Sequence, residues 1–530
     1  MPDFFSCRSG RVLIALFALL AAPLAVAQSE LAVAPGVGTL NETIAGDIDR
    51  PADRVYVLER GGSYAVTGEI TNEGFVLRLR AADGEGPRPV IYPGPEQGSR
   101  FFRLLGDASF DGLYVLGVRE SGAVSGIPIA VQGEGQRLDI DDSVFEGARS
   151  RFFEIDAADT RVYVRNSQFR NFIRTEILSS NGRAFDYRDK SAKTLLIENT
   201  SFLGINGYIV RYDGPVIERF VFNHNTVHTT SNEVTTSSLG TRVVEYEVTN
   251  NLFVNVHAPG QAPAERPDGI LSVNAFEGSG FFEADRQITI ANNDLFTSQD
   301  LLDFYEERGQ AGDPLVPFQL IQPSSQDFIE GSNVATATDN INVPVSFAAP
   351  PSLEDYIAWL AAIRDGAAEP PTWAFGSDNA LFPAEQPLPE DLSYGTDSPA
   401  YTAAEGGFPV GDLNWFPERK AAWEAGGGAV PTEGGPDASG FALHGTYPNP
   451  SAGAVTVRFD LDAPGTVSAR VFDLLGREVL SSPPQAVSAG AGQLVSLDAS
   501  ALPAGLYLYR VTAETGGSLR SQTGRLTLAR

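Results

Sequence analysis

Six short stretches in the middle of the chain share one pattern of apolar and polar positions. Each is an alternating apolar strand, followed by a polar residue and then by an aromatic or aliphatic residue three positions on; they span residues 138–145, 162–169, 195–202, 220–227, 246–253 and 288–295. The polar position falls at Asp142, Asn166, Asn199, His224, Asn250 and Asn292, so the spacings are 24, 33, 25, 26 and 42 residues. Short strands that recur every roughly 20–50 residues are typical of a solenoid.

A second strand lies inside the repeats, at residues 100–104, 127–131, 151–155, 183–187 and 208–212. Two or more strands per repeat without a helical period predict an all-β fold, a right-handed parallel β-helix over residues 100–296, in which each coil buries the apolar face of the next. We expect Asn166, Asn199 and Asn250 to stack in register as an inward-turned ladder that satisfies backbone groups. The phenylalanine three residues later is expected to stack in the same way inside the core.

The repeat fades after Leu295. Residues 301–348 show no regular pattern, and Ser352 is a good N-cap for a helix that runs to about Asp365. All four tryptophans, Trp359, Trp373, Trp415 and Trp423, lie between positions 350 and 425. We interpret this segment as a cap over the open end of the β-helix, which would otherwise expose strand edges. The alternative is a platform on which sugars stack.

The two ends of the chain differ in character from its middle. Arg8 and Arg11 precede a short apolar run and a small-residue cleavage site, which predicts a secretory signal peptide over residues 1–27 and no transmembrane segment in the mature chain. Residues 28–424 are then the β-helix domain, with its cap from about 350 to 424. Residues 425–440 are rich in glycine and read as a flexible linker. Alternating strands with Gly/Pro turns over 441–530 predict a small C-terminal Ig-like β-sandwich.

Amino-acid composition and net charge exclude several kinds of site and partner. The only cysteine, Cys7, lies in the leader, which excludes disulfides, thiolate catalysis and cysteine metal sites in the mature chain. The formal net charge is −29; residues 1–27 and 441–530 carry +1 each, so residues 28–440 hold −31. Such a surface repels nucleic acid and anionic membranes. It would bind polyanionic glycans only through a local basic patch or a bound cation.

Three motifs near the C-terminus stand in a characteristic order: Tyr-Pro-Asn-Pro at 447–450, Val-Phe-Asp-Leu-Leu-Gly-Arg-Glu-Val at 471–479 and Leu-Pro-Ala-Gly-Leu-Tyr at 502–507. Because they contain these three motifs in this order, residues 441–530 resemble the type A C-terminal sorting domain of the Bacteroidota type IX secretion system. The resemblance implies export through the periplasm to the outer-membrane surface or the medium, with the secretion machinery as partner. An ordinary Ig-like binding module would not explain all three motifs together.

The body resembles the pectate-lyase-like β-helices, and in particular Bacteroidota surface proteins whose helix domain ends in a Gly-Asp-x-x-Trp segment, here residues 411–415. That group implies no settled activity. The wider superfamily contains polysaccharide lyases, glycoside hydrolases and non-catalytic adhesins, and the fold does not choose among them.

The strand at 183–187 carries the candidate chemistry. Strand alternation predicts Phe185 and Tyr187 inward, with Asp186 and Arg188 outward. A uronate lyase needs a cation to neutralise the substrate carboxylate, and a base to take the adjacent proton. The candidate catalytic residues are Lys190, Arg188 and Arg183, and the candidate substrate-binding residues are Asp186, Arg211 and Glu154. Calcium is one cation that such a site could use, although the sequence identifies no ligands for it. The alternative is a salt-bridge ladder on a solvated sheet face.

His224 and His228 lie four residues apart, but on a strand and turn rather than a helix. His224 occupies the polar position of the repeat, so a buried, hydrogen-bonded histidine is the favoured interpretation over a metal pair. The sequence therefore indicates an exported β-helix protein that acts on or binds polysaccharide. A uronate polysaccharide lyase and a non-catalytic glycan- or matrix-binding adhesin remain as alternatives. Arginine and lysine beside acidic residues favour the lyase, and the negative surface favours the adhesin.

Overall fold

The computed structural model describes residues 29–430 and 441–529, apart from residues 96, 174–176, 377–381, 383, 448, 450, 452, 462–463, 474–476, 489 and 516–517. The predicted signal peptide and most of the predicted linker therefore lie outside the described residues.

Three parallel sheets, named A, B and C, build the body. Sheet A has 11 strands: Glu30–Val33, Val55–Leu58, Leu77–Ala81, Ala108–Asp111, Arg137–Asp141, Thr160–Arg165, Ala192–Glu198, Ile217–Asn223, Val243–Thr249, Gln287–Ala291 and Ala335–Thr338. Sheet B has 10: Gly36–Val37, Ser63–Val66, Val90–Pro93, Tyr114–Leu116, Val144–Glu146, Gln168–Phe172, Ser201–Ile205, Thr226–Thr230, Leu252–Val254 and Asp294–Phe296. Sheet C has six: Ile70–Thr71, Phe102–Leu104, Ile129–Val131, Arg151–Ile155, Arg183–Tyr187 and Val210–Tyr212.

Neighbouring strands in each sheet come from consecutive coils, and the sheets are parallel throughout. This is the predicted parallel β-helix, and it starts earlier and ends later than the repeat in the sequence indicated. The predicted aromatic stack is confirmed in the core. The ring centroids of Phe145 and Phe169 lie 5.2 Å apart, and those of Phe169 and Phe202 lie 5.0 Å apart, in both cases stacked.

The asparagine column has a different role from the predicted one. Asp142, Asn166, Asn199, His224, Asn250 and Asn292 all have positive φ angles, between 43° and 61°. They form the bend between sheets A and B, where asparagine, aspartate and histidine tolerate the left-handed conformation better than most residues.

The inward ladder is formed one residue later. The backbone N–H of Asn225 donates to Oδ1 of Asn251 at 2.8 Å, and the N–H of Asn251 donates to Oδ1 of Asn293 at 3.0 Å. The side-chain amide of Asn251 also donates to the carbonyl oxygen of Phe222. The expectation that Asn166, Asn199 and Asn250 form this ladder was therefore wrong by one position, although the way in which it satisfies buried backbone groups was correct.

Six α-helices occur in the described residues: α1 (Thr39–Gly46), α2 (Ser237–Thr241), α3 (Gln299–Gln310), α4 (Pro323–Gly331), α5 (Glu354–Arg364) and α6 (Pro417–Ala425). The sequence predicted only α5, and α3 and α4 lie largely in the stretch expected to be irregular. At the N-terminal end, α1 adds Leu40 and Ile44 to the solenoid core. At the C-terminal end, α4 adds Ile329. These two helices cover the ends of the core.

The described residues of 347–430, named the strap, lie mainly along the outer face of sheet B rather than across the open end, so the predicted location of the cap needs correction. At the end of the strap, Val430 packs on sheet A. Phe382 packs against Tyr92 of an early coil, with ring centroids 5.5 Å apart. Trp373 and Phe375 pack in one cluster with Leu203, and Val410 packs with Leu252. Short strands Phe347–Ala349 and Asp391–Tyr394 pair with each other, as do Gly269–Leu271 and Gln319–Ile321 in the last coils.

The C-terminal region has its own core. One antiparallel sheet contains Phe441–Tyr447, Ala454–Leu461 and Gly490–Asp498, and the other contains Gly465–Phe472, Glu478–Ser481, Gln485–Val487, Gly505–Thr515 and Ser518–Leu528. Val457 of the first sheet and Val471 of the second belong to one buried cluster that includes no residue of the solenoid. This is the predicted small β-sandwich.

Candidate functional site

The outer face of sheet C collects charged side chains because its strands stack in register. Glu154, Asp186 and Arg211 occupy the same register position in three successive strands of sheet C. Arg151 is the register partner of Arg183, three positions earlier in the same two strands. The alternate residues point into the core, where the rings of Phe153 and Phe185 stack at 5.2 Å. The predicted inward direction of Phe185 and Tyr187 is therefore confirmed.

Asp186 is the centre of this face, and it is fully buried beneath arginines. Its Oδ2 lies 3.0 Å from Nη1 of Arg183, 3.3 Å from Nε of Arg151 and 3.5 Å from Nη1 of Arg188. Its Oδ1 lies 3.3 Å from Nη1 of Arg211. Four guanidinium groups thus share one carboxylate, which holds them in fixed positions.

A second carboxylate continues the network toward the earlier coils. Oε2 of Glu154 lies 3.1 Å from Nη2 of Arg100, and its other oxygen pairs with Arg151. On the same face, Arg103 donates from Nε to Oε1 of Gln132 at 2.7 Å. We name the set Arg100, Arg103, Arg151, Arg183, Arg188 and Arg211 the arginine face.

The arginine face is graded in exposure. The side chain of Arg183 is 8% exposed, and burial lowers its pKa while the charge of Asp186 opposes that effect. The side chains of Arg211 and Arg188 are 26% and 41% exposed. The inner guanidiniums therefore hold the frame, and the outer ones reach solvent. Of these, Arg211 is also paired with Asp213, a partner that a bound anion would displace.

Tyr208, Glu233 and His257 border the arginine face toward the C-terminal coils. Burial raises the pKa of both Tyr208 and Glu233, and the Tyr208 hydroxyl lies near the Glu233 carboxylate. Nδ1 of His257 lies 3.8 Å from Oε1 of Glu233, and the imidazole stacks on Phe318 at 3.9 Å. Burial lowers the pKa of His257 to about 4, so this histidine is neutral at pH 7.

Five of the six sequence-predicted site residues come together here: Glu154, Arg183, Asp186, Arg188 and Arg211. Lys190 follows on the same segment, and its carbonyl oxygen accepts a hydrogen bond from the Tyr212 hydroxyl at 3.3 Å. Within the described part of the chain its ammonium group forms no ion pair. The alternative interpretation, a salt-bridge ladder, describes the observed ion pairs.

Sequence reasoning missed Arg100 and Arg151, which complete the arginine face. A partial signal was present, because the second strands of the successive repeats open on Arg100, Ile127, Arg151, Arg183 and Tyr208. Recognising it requires the register between coils, and the unequal repeat lengths hide that register.

The arginine face does not fit a calcium site. Both of its central carboxylates, Glu154 and Asp186, are paired with guanidinium groups that would repel a cation. Among the described residues, no group of three or more histidine, cysteine, aspartate or glutamate side chains is placed to hold a metal ion.

The two predicted histidines are buried. Nδ1 of His224 donates to the carbonyl oxygen of Gly411 at 3.2 Å, which confirms a buried, hydrogen-bonded histidine. Nδ1 of His228 lies 3.0 Å from the Thr229 hydroxyl oxygen. Burial lowers the pKa of each histidine to about 4.

The tryptophans and the Gly-Asp-x-x-Trp segment fix the strap to sheet B. Trp359, Trp373 and Trp423 are buried, so they form no exposed stacking platform. Oδ2 of Asp412 accepts from the Ser201 hydroxyl at 2.7 Å, and Nε1 of Trp415 donates to the same hydroxyl oxygen at 2.9 Å. Gly411 has φ 92°, and a Cβ at this position would lie 2.6 Å from Oγ1 of Thr226. The motif therefore fixes the strap to the coils of sheet B.

Two buried aspartates make this packing sensitive to pH. Burial raises the pKa of Asp412 and of Asp294 to about 6. A carboxyl group whose pKa is higher in the folded than in the unfolded protein contributes stability at low pH, and this contribution is lost as the pH rises through about 6. We expect the solenoid to gain about 1 kcal/mol per group in unfolding free energy between pH 7 and pH 5.

Chemical denaturation of wild type and of the Asp294→Asn/Asp412→Asn double variant at both pH values measures this effect. The double variant should show a smaller gain than wild type. Equal gains in the two proteins would contradict the assignment.

Comparison with known proteins identifies the C-terminal domain. Residues 445–522 match the family described as "Secretion system C-terminal sorting domain". No curated protein matches the chain. Among solved structures, the tailspike protein gp49 from Acinetobacter baumannii bacteriophage Fri1, a capsular polysaccharide depolymerase, is 10% identical and has a TM-score of 0.24. That match covers 94% of this chain and 78% of the tailspike chain. At this TM-score the likeness identifies neither an activity nor a ligand.

The fold and the sorting domain together define an exported parallel β-helix protein. Its C-terminal domain directs it to a secretion system, so the protein is found at the cell surface or outside the cell. In the described part of the chain, no helix is both long and apolar enough to cross a membrane.

Proposed function

We propose that the exported body binds an acidic polysaccharide through the arginine face. The observation that carries this proposal is the concentration of six arginines on one sheet face of a body that holds −31 overall. A body with this charge repels polyanions everywhere except at a local basic patch. The arginine face is such a patch.

The geometry suits carboxylate or sulfate groups. A guanidinium group presents planar N–H donors that match these anions in a bidentate manner, which lysine does not. Asp186 and Glu154 fix the inner guanidiniums, so little side-chain entropy is lost on binding. Consecutive coils place equivalent side chains about 4.8 Å apart, and the charged rows cross several coils, as an extended polymer would.

Binding should depend on the exposed arginines and on salt. We expect the Arg188→Ala/Arg211→Ala variant to bind polygalacturonate, alginate or chondroitin sulfate at least about 100-fold more weakly, because it loses two charge-assisted contacts of about 1.5–3 kcal/mol each. Calorimetry at several salt concentrations should show affinity falling as ionic strength rises.

Arg266→Ala is the matched control, because this arginine is 52% exposed and lies outside the arginine face. Wild type should bind the acidic polymers far more tightly than neutral dextran. Equal binding of dextran, or an equal loss in the Arg266 variant, would contradict the proposal.

A second candidate function is β-elimination of a uronate chain. Arg183, Arg188 and Lys190 lie within one strand and its following loop, and Tyr212 tethers that loop through the Lys190 carbonyl. Arg188 would neutralise the uronate carboxylate, with Arg183 holding Asp186 in place behind it. The Lys190 amine would take the C5 proton, the C4–C5 double bond would form as the glycosidic C4–O bond breaks, and water would protonate the leaving oxygen. Glu154, Asp186 and Arg211 would hold the chain and the arginines in place.

Lyase activity would appear as rising ultraviolet absorbance from unsaturated chain ends. Lys190→Ala should abolish that rise, while Lys193→Ala, which removes a lysine paired with Glu218, should not. If the protein binds the acidic polymers but none of them gives a rise in ultraviolet absorbance, the protein is a non-catalytic adhesin. A rise that persists in Lys190→Ala would exclude Lys190 as the base.

A further inference from the structure

A cavity of about 230 Å³ lies between sheet B and the strap. Its floor is one row of outward residues from three successive coils, Tyr114, Val144 and Gln168. The strap closes it from above with residues 386–388, Glu390 and Trp415. Tyr114, Val144 and Leu388 belong to the apolar cluster that holds the strap on the early coils. Gln168, Gln386 and Glu390 add polar groups beside this apolar surface.

The walls of this cavity are held rigidly. Glu390 accepts from Arg170 at 2.8 and 2.9 Å through its two carboxylate oxygens. Gln386 exchanges two hydrogen bonds with the backbone of Arg88, accepting at 2.7 Å and donating at 3.0 Å. The Trp415 indole is fixed by its bond to Ser201. A cavity with fixed walls binds a ligand without the entropic cost of ordering them.

The charges at this cavity are already compensated. The Glu390 carboxylate is paired with Arg170, and the guanidinium of Arg88 is paired with Asp142 at 2.5 Å. The side-chain amide of Gln168 is half-buried on the floor and has no hydrogen-bond partner among the described residues. A ligand therefore meets an aromatic ring, an amide with free donors and acceptors, and no unpaired charge.

We propose that this cavity binds one neutral pyranose unit. A sugar ring presents an apolar face that stacks on an aromatic side chain, and hydroxyl groups that bond to an amide. The volume is below the usual range for drug-sized ligands, about 300–1,000 Å³, so it suits a single ring rather than a chain. The cavity lies on sheet B, whereas the arginine face lies on sheet C, so the two sites are independent.

The test is titration of wild type with the methyl glycosides of glucose, galactose, mannose and N-acetylglucosamine. The methyl glycoside of galacturonic acid is titrated into the Arg188→Ala/Arg211→Ala variant, so that binding at the arginine face does not enter the comparison. Saturation-transfer NMR detects binding, and tryptophan fluorescence reports on Trp415, because the other three tryptophans are buried. At least one neutral glycoside should bind saturably, with a fluorescence change, and more tightly than the uronate. Gln168→Leu should weaken that binding about tenfold.

Gln287→Leu is the control, because Gln287 is exposed on sheet A and away from this cavity. Thermal unfolding checks that both variants are folded. The proposal is overturned if no neutral glycoside binds saturably, if the uronate binds more tightly than every neutral sugar, or if the two variants bind equally well. Because the Arg188→Ala/Arg211→Ala variant keeps this cavity intact, it should bind the neutral glycoside as wild type does.

Discussion

Replacing Arg170 by methionine should lower the unfolding free energy of the solenoid by about 3–5 kcal/mol, the usual cost of removing one partner from a buried ion pair. Arg170 is 1% exposed and joins the strap to sheet B. Its guanidinium contacts Glu390 of the strap at 2.8 Å and Glu146 of the coil at 3.5 Å. Without it, two buried carboxylates face each other with no cation between them.

Chemical denaturation and limited proteolysis of the strap measure this effect. Arg266→Met is the control, since its solvent-exposed pair with Asp327 should contribute little to the unfolding free energy. Adding Glu390→Gln to Arg170→Met should restore part of the stability. Burial raises the pKa of Glu146, so the defect should also shrink at pH 5, where this carboxyl group gains a proton more readily. A defect no larger than that of Arg266→Met would refute the role given to Arg170.

Deleting residues 441–530 should leave the solenoid folded and stop its export almost completely. The sorting domain has a hydrophobic cluster of its own, and the solenoid core contains none of its residues. Its removal therefore leaves no exposed core on the body. The secretion signal that residues 445–522 carry is lost with it.

Cell fractionation followed by immunodetection measures this prediction. The truncated protein should accumulate in the periplasm with an unchanged unfolding temperature, whereas wild type should reach the surface or the medium. A matched control is a point variant in the arginine face, such as Arg188→Ala, which should be exported normally. Surface delivery of the truncated protein at the wild-type level would show that residues 441–530 are not the export signal.

The repeat was predictable because strand alternation and coil length are local properties. Phe145, Phe169 and Phe202 stack as expected, since each follows its strand at the same offset. The role of the asparagines was not predictable in the same way. Asparagine suits both a left-handed bend and an inward amide ladder, and in this solenoid the two positions are adjacent. In the early coils the ladder position holds serine, at Ser143 and Ser167, so the sequence shows no continuous column of asparagines there.

The candidate site was predictable within one strand but not across coils. Arg183, Asp186 and Arg188 were found because they are close in sequence. Arg100 and Arg151 join them only through the register of sheet C, because the coils differ in length. The strap was the least predictable element. Arg170 and Glu390 are 220 positions apart, and no local pattern marks either as a partner of the other.

The most direct test of the central claim is arginine-selective chemical labelling with and without an oligogalacturonate, read out by mass spectrometry. We expect the ligand to protect Arg188 and Arg211, whose side chains are 41% and 26% exposed, while Arg266 is labelled at the same rate in both samples. If the oligosaccharide binds saturably but leaves Arg188 and Arg211 as reactive as in the free protein, the arginine face is not the polysaccharide site.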